Sequence, residues 1–242
     1  MKEINIIIPT YNEKENILSL IKSIKKFIPK ATIIIVDDTP KNDIGILINK
    51  NKITKIQYFH RKNSKGRGSA VLYGFKKKFR NNKSQIFIEM DADFSHSPTE
   101  LIRNLKYFTK NNLDLLISSR YLKDSRIINW PLSRRVFSKL SNILANLVLR
   151  INISDYTNGF RIYSNKSIKV ILKKCGNIGD GFIILSEILL AIYINKLKIG
   201  EIHSKFVNRL RGESNVNIKL ILNSLYGLLK LFLIKKRYLI KR

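Results

Sequence analysis

The chain has 242 residues, 44% hydrophobic and 26% charged, enough apolar content to bury the core of one large α/β domain or two small ones. Its 46 Lys and Arg against 17 Asp and Glu leave a formal charge of +29, which points to anionic partners: nucleic acid, acidic lipid or a phosphorylated substrate. A single cysteine, Cys175, excludes an intramolecular disulfide and a cysteine-cluster metal site, and His60, His96 and His203 are too scattered for a zinc site.

From the N-terminus, residues 4–8 form an apolar, β-branched run that predicts a strand ending at Pro9. Residues 15–27 carry Ile17, Leu18, Ile21 and Ile24 at helical spacing. A strand over 32–36 stops at Asp37-Asp38, a short helix over 43–51 follows, and 55–60 reads as a third strand. The basic segment 62–67 reads as a loop and 69–79 as a helix. Then come a strand over 85–90 ending at Asp91, a helix over 99–111 and a strand over 113–118. The second half reads as more helical, with helices over 132–149, 166–174, 182–194 and 218–233. The last two are the most apolar stretches, but Glu187 interrupts one and Asn223 and Lys230 the other. Neither reaches the roughly 20 residues that span a bilayer. No signal-peptide pattern opens the sequence.

Buried strands separated by amphipathic helices imply an α/β fold, a mainly parallel sheet with helices on both faces. Such sheets bind ligands beyond the carboxyl ends of their strands. Three polar clusters fall there: Pro9-Thr10-Tyr11-Asn12-Glu13, Asp37-Asp38, and Asp91-Ala92-Asp93-Phe94-Ser95-His96.

The aspartates of the third cluster, two residues apart at a strand end, either converge on Mg²⁺ or Mn²⁺ bridging a diphosphate or cap a turn into the next helix. Tyr11 offers a flat face to a base, Glu13 can accept hydrogen bonds from base or ribose, and Thr10 or Asn12 can cap the following helix. Asp38 is placed for a ribose hydroxyl or a base edge. Lys65-Gly66-Arg67-Gly68 supplies cations and backbone N–H groups for a diphosphate, or is an ordinary basic loop.

Together, I-I-I-P-T-Y-N-E-K-E-N, V-D-D, K-G-R-G-S-A, M-D-A-D-F-S-H-S-P and S-S-R-Y resemble the family 2 inverting glycosyltransferases, which have the GT-A fold. W-P-L-S-R-R-V-F-S-K-L-S-N, T-N-G-F-R-I-Y and R-L-R-G-E-S are similar to the dolichol-phosphate mannosyltransferase branch. The likeness runs from about Ile4 to Asn215. It implies a catalytic domain over 1–217 and a basic, amphipathic tail over 218–242 that lies on a membrane surface.

By that resemblance, Pro9, Tyr11, Glu13, Asp38, Lys65 and Asp91 hold the nucleotide-sugar. Asp91, Asp93 and Ser95 hold Mg²⁺ or Mn²⁺, and Arg120, Arg134, Ser138 and Arg209 receive a lipid phosphate. Asp93, Arg120 and Arg134 are implied to lie closest to the reaction. Ser95 departs from the Gln of some members, and Asn215 from the Lys that commonly follows G-E-S. The implied activity is inverting transfer of mannose from GDP-mannose to a dolichyl or polyprenyl phosphate. Glucose from UDP-glucose and a saccharide hydroxyl acceptor are the enzymatic alternatives. The partners implied are the nucleotide-sugar, the polyprenyl phosphate, an anionic lipid surface and a membrane-anchoring protein. The location implied is the cytoplasmic face of a membrane. A nucleic-acid-binding module is the reading of a different class, and strand-end carboxylates disfavour it by repelling phosphates.

Overall fold

Each β-branched run of the first half forms a strand and each amphipathic segment a helix in the computed structural model, which describes residues 2–62, 66–81, 83–179, 181, 183–208 and 218–240. The strands are β1 (Glu3–Thr10), β2 (Thr32–Asp37), β3 (Ile56–His60), β4 (Gln85–Glu89), β5 (Leu115–Ser119), β6 (Arg126–Ile128), β7 (Arg161–Ser164), β8 (Ile199–His203) and β9 (Lys205–Val207). The helices are α1 (Lys14–Phe27), α2 (Asp43–Asn51), α3 (Arg67–Lys78), α4 (Leu101–Lys110), α5 (Leu132–Leu149), α6 (Asn165–Lys174), α7 (Ile183–Ile194) and α8 (Ile218–Ile240). A short 3₁₀ turn, Pro98–Glu100, precedes α4.

Seven strands make one sheet in the order β3-β2-β1-β4-β7-β5-β8. All neighbours pair in parallel except β7, which runs antiparallel between β4 and β5. Successive side chains on a strand point to opposite faces, so the isoleucine run of β1 feeds two cores. Ile7 joins a cluster with α3, α5, α6, α7 and α8, while Ile6 and Ile8 join one with α1, α2 and α4. Helices therefore cover both faces, as the periodicity predicts.

Three differences from the sequence reading matter for function. Residues 161–164 are a central strand, where the sequence showed only a motif. Arg67 is the first residue of α3 rather than part of a loop. The helix over 218–233 extends to Ile240 and packs against α5 and α7, with Leu228 and Leu231 buried. Each of these leucines contributes about 2 kcal/mol relative to exposure.

Candidate active site

Parallel pairing places the ends of β1, β2 and β4 side by side, because Thr10 pairs with Asp37 and Ile7 with both Ile34 and Glu89. Asp37 ties this rim together. Its Oδ1 accepts from Thr10 Oγ1 at 3.0 Å and from Thr39 Oγ1 at 2.6 Å, and its Oδ2 from Tyr58 at 2.8 Å. Neither Thr10 nor Asn12 caps α1. Glu13 occupies the cap position, and its Oε2 instead accepts from Asn16 Nδ2 at 2.7 Å. Asn12 turns the chain at φ 59°, a left-handed conformation that Asn tolerates, and Tyr11 is left 50% exposed beside buried Pro9. Asp38 is buried in a bidentate ion pair with Arg61, both bonds being 2.5 Å.

The turn after β4 is held from three sides. Arg67 spans Asp91 and Glu89, with Nε and Nη2 at 2.9 and 2.7 Å from Asp91 Oδ1 and Nη1 at 2.6 Å from Glu89 Oε1. Burial disfavours the guanidinium charge, but the carboxylates of Asp91 and Glu89 more than restore it, and the pKa rises. Two glycines make this placement possible. Gly66 enters α3 at φ 85°, which disfavours a side chain, and a Cβ on Gly159 would meet Arg67 Nη2 at 2.0 Å. Tyr163, from the reversed strand β7, donates to the other oxygen of Glu89 at 2.7 Å. Burial first, then the neighbouring Glu89, pushes this phenol well up.

His96 fixes the far side of the same turn. Its Nδ1 accepts the Asp91 N–H at 2.9 Å, so Nε2 carries the proton and donates to Asn158 Oδ1 at 2.9 Å. Asp93 is buried and accepts the Ser95 N–H at 3.0 Å. The Ser95 hydroxyl is buried without a hydrogen-bond partner among the described residues. Two carboxylates and a hydroxyl on one turn are the oxygen donors a hard divalent cation takes, so the residue types present fit Mg²⁺ or Mn²⁺.

A second cluster adjoins the first through Phe206. This ring lies 5.5 Å from His96 and 5.1 Å from Trp130, and Val207 N–H donates to Ser95 O at 3.3 Å. Around Trp130 stand two of the sequence-predicted arginines, Arg134 at 4.2 Å and Arg120 at 5.5 Å from the ring centre. Arg120 is buried and paired with Asp155 through Nε and Nη2, each at 2.8 Å, and Nη2 also donates to Thr157. Burial opposes both charges of this pair, yet each partner's field prevails: Arg120 rises and Asp155 falls below the usual carboxylate range. Arg134 reaches Asn208 Oδ1 at 3.0 Å, and Ser138 accepts from the Tyr121 hydroxyl at 2.6 Å. The Trp130 Nε1 is buried without a hydrogen-bond partner among the described residues.

The fold thus gathers Pro9, Tyr11, Glu13 and Asp38 at one part of the rim, Asp91, Asp93 and Ser95 next to them, and Arg120, Arg134 and Ser138 across Phe206. Lys65 and Arg209 lie outside the described residues. Sequence reasoning passed over Arg61, Glu89, Asp155 and Tyr163 as site residues, and offered Arg67 to a diphosphate rather than to Asp91 and Glu89. Glu89 gave the one signal available, a carboxylate inside an otherwise apolar strand.

The family model described as Glycosyl transferase family 2 matches residues 5–172. A polyprenol monophosphomannose synthase from Mycolicibacterium smegmatis is 36% identical over 169 residues, 69% of this chain and 63% of the relative, so the match spans less than two thirds of that protein. An undecaprenyl-phosphate mannosyltransferase from Micrococcus luteus is 30% identical over 216 residues, 87% of this chain and 86% of the relative. Glucosyl-3-phosphoglycerate synthase from Mycobacterium tuberculosis, solved with Mn²⁺, UDP-glucose and phosphoglyceric acid, superposes with a TM-score of 0.67. That match is 16% identical and covers 96% of this chain and 80% of the other, a likeness of fold alone.

Proposed function

This chain belongs to glycosyl transferase family 2 and is a glycosyltransferase of GT-A fold, and from that premise we propose that it transfers mannose from GDP-mannose to a polyprenyl phosphate with inversion. The observation that carries the acceptor is the pair of arginines around Trp130, one held rigid by Asp155 and one stacked on the ring. Planar guanidinium forks suit phosphate oxygens. One relative is named for making polyprenol monophosphomannose and the other as an undecaprenyl-phosphate mannosyltransferase, and the second aligns over most of its length.

In this reading residues 1–217 are the catalytic part and α8 braces it at a membrane. Pro9, Tyr11 and Glu13 receive the nucleoside, and Asp38 shares its carboxylate between Arg61 and the ribose. Lys65 supplies a cation for the diphosphate. Asp91, Asp93 and the Ser95 hydroxyl hold Mg²⁺ or Mn²⁺, whose chemistry when bound is to neutralise charge on the departing diphosphate. Arg120, Arg134, Ser138 and Arg209 orient the acceptor phosphate toward the anomeric carbon.

An acceptor phosphate oxygen attacks that carbon as the bond to the diphosphate oxygen breaks, and the bonding pair leaves on the diphosphate. The acceptor is already an anion, so no side chain has to remove a proton, and positioning with charge neutralisation suffices. Because the acceptor is a lipid and the chain strongly basic, the protein works at the cytoplasmic face of an anionic membrane. No helix among the described residues is long and apolar enough to cross one.

The test is transfer from labelled GDP-mannose and UDP-glucose to a short, water-soluble polyprenyl phosphate with Mn²⁺ or Mg²⁺, beside Asp93→Ala. Label on the polyprenyl phosphate from GDP-mannose, resolved by chromatography and lost in the variant, supports the reading. Label from UDP-glucose alone replaces the donor, and transfer only to a saccharide replaces the acceptor.

A further inference from the structure

Trp130 is the single tryptophan of the chain and is 7% exposed, with its Nε1 buried and bonded to none of the described residues. An indole nitrogen can only donate. Buried donors are nearly always bonded, so this exception needs a reason.

The surroundings say what kind of acceptor would satisfy it. Arg134 stands 4.2 Å and Arg120 5.5 Å from the ring centre. The carboxylate of Asp155, which pairs with Arg120, is already saturated. It accepts from Nε and Nη2 of Arg120 and from the backbone N–H groups of Arg120, Thr157 and Asn158. Phe206, 5.1 Å from the indole, offers no acceptor. Directly after Trp130, α5 begins behind Pro131 without a side-chain cap and without an acidic residue in its first turn. The first N–H groups of a helix have no intrahelical acceptor and carry partial positive charge. Two guanidinium groups, a helix N-terminus and a donor-only indole lie together, and each of them binds an oxygen anion.

We propose that the Trp130 indole N–H is a further hydrogen-bond donor to the phosphate monoester this site receives. The inference rests on the polyprenyl-phosphate acceptor proposed above and adds a residue to its binding. Nε1 is buried while Arg134 lies on the ring; a phosphate that draws this guanidinium off the ring face opens the indole to one of its oxygens. A neutral donor suits the position, because a third fixed cation beside Arg120 and Arg134 would repel both. A single N–H bonds one oxygen along one line, which leaves the other phosphate oxygens to the arginines and the anomeric carbon.

The experiment uses the single tryptophan as its own probe. The full chain, labelled with ¹⁵N, gives one indole cross-peak in a nitrogen–proton correlation spectrum. With Mg²⁺ and GDP present, it is titrated with the short, water-soluble polyprenyl phosphate, with the matching alcohol and with inorganic phosphate. The indole proton should move downfield with the polyprenyl phosphate, as an N–H does on gaining an acceptor, and stay put with the alcohol. Trp130→Phe keeps a ring beneath Arg134 and removes the N–H. Its acceptor KM should rise about tenfold, the scale of a hydrogen bond to a charged group, with a smaller loss of kcat. Its urea midpoint should be no lower than that of wild type, whereas a purely structural tryptophan would lower the midpoint and leave KM alone. Cross-peaks of Arg120 and Arg134 that move while the indole stays put overturn the proposal and leave the acceptor standing. So does a Trp130→Phe KM equal to wild type. An equal indole shift at equal concentrations of inorganic phosphate overturns the lipid ester in favour of a free phosphate. No movement of any of the three cross-peaks, with no transfer, removes the polyprenyl phosphate and the proposal with it.

Discussion

Arg67 lies across the carboxylate of Asp91, with two guanidinium nitrogens on the one oxygen Oδ1 at 2.9 and 2.7 Å. The same guanidinium serves Glu89, which is fully buried. A protein cation thus holds the carboxylate that the proposed metal would share.

Arg67→Gln should cost about 3 kcal/mol, the scale for removing one partner of a buried pair, because Glu89 is left without its cation. Mn²⁺ should then raise the melting temperature of the variant more than that of wild type, since it no longer competes with a guanidinium for Asp91. Thermal denaturation with and without Mn²⁺ reads both effects. Equal metal-induced shifts would mean that Arg67 and the metal do not compete.

Ser95→Ala removes a buried hydroxyl that bonds to nothing among the described residues. Its stability should stay within about 0.5 kcal/mol of wild type, or rise, because no hydrogen bond is lost. Mn²⁺ affinity should nonetheless fall several-fold if the hydroxyl is a ligand. Calorimetric titration beside a melting curve separates the two; unchanged affinity takes Ser95 out of the metal shell.

Arg120 and Arg134 should part company on mutation. Asp155→Asn breaks a buried ion pair and should cost about 3 kcal/mol, with transfer falling because Arg120 loses its orientation. Arg134→Ala should raise the acceptor KM by about tenfold, since its guanidinium stands over Trp130 beside Asn208 in the acceptor cluster. Acceptor kinetics and urea denaturation of both variants check the contrast.

The same pair sets an acid limit. Asp155 sits below the ordinary carboxylate value of 3.8, because Arg120 outweighs the burial that opposes its charge. A depressed carboxylate contributes stability that is present above its unfolded value and lost as pH falls through its folded one. The stability gap between wild type and Asp155→Asn should therefore be constant from neutral pH down to about 4 and close below 3.8. Urea midpoints across that range measure it, and a gap that closes already near pH 6 would assign the titration to another group.

Local patterns of the sequence determined much of this protein. The strands that open it, the helices between them and the positions of Asp38, Asp91 and Asp93 at strand ends follow from periodicity, because burying one face of a helix or both faces of a strand is decided over a few residues. β7 escaped that logic: R-I-Y-S is short and begins with Arg161, a charged side chain fully buried by donating to three backbone carbonyls. No local pattern announces such compensation, since the carbonyls come from Tyr156, Asn158 and distant Leu185. β8 was hidden for a related reason, I-G-E-I-H being an edge strand with only Ile202 buried. Ion partners likewise required the tertiary structure. Arg67 with Glu89 and Asp91, Arg61 with Asp38, and Arg120 with Asp155 join residues more than 20 positions apart. Sequence supplied the charges and the strand ends; chain topology chose the pairs, because burial makes an ionic partner obligatory while leaving its identity to whichever segment the sheet brings alongside.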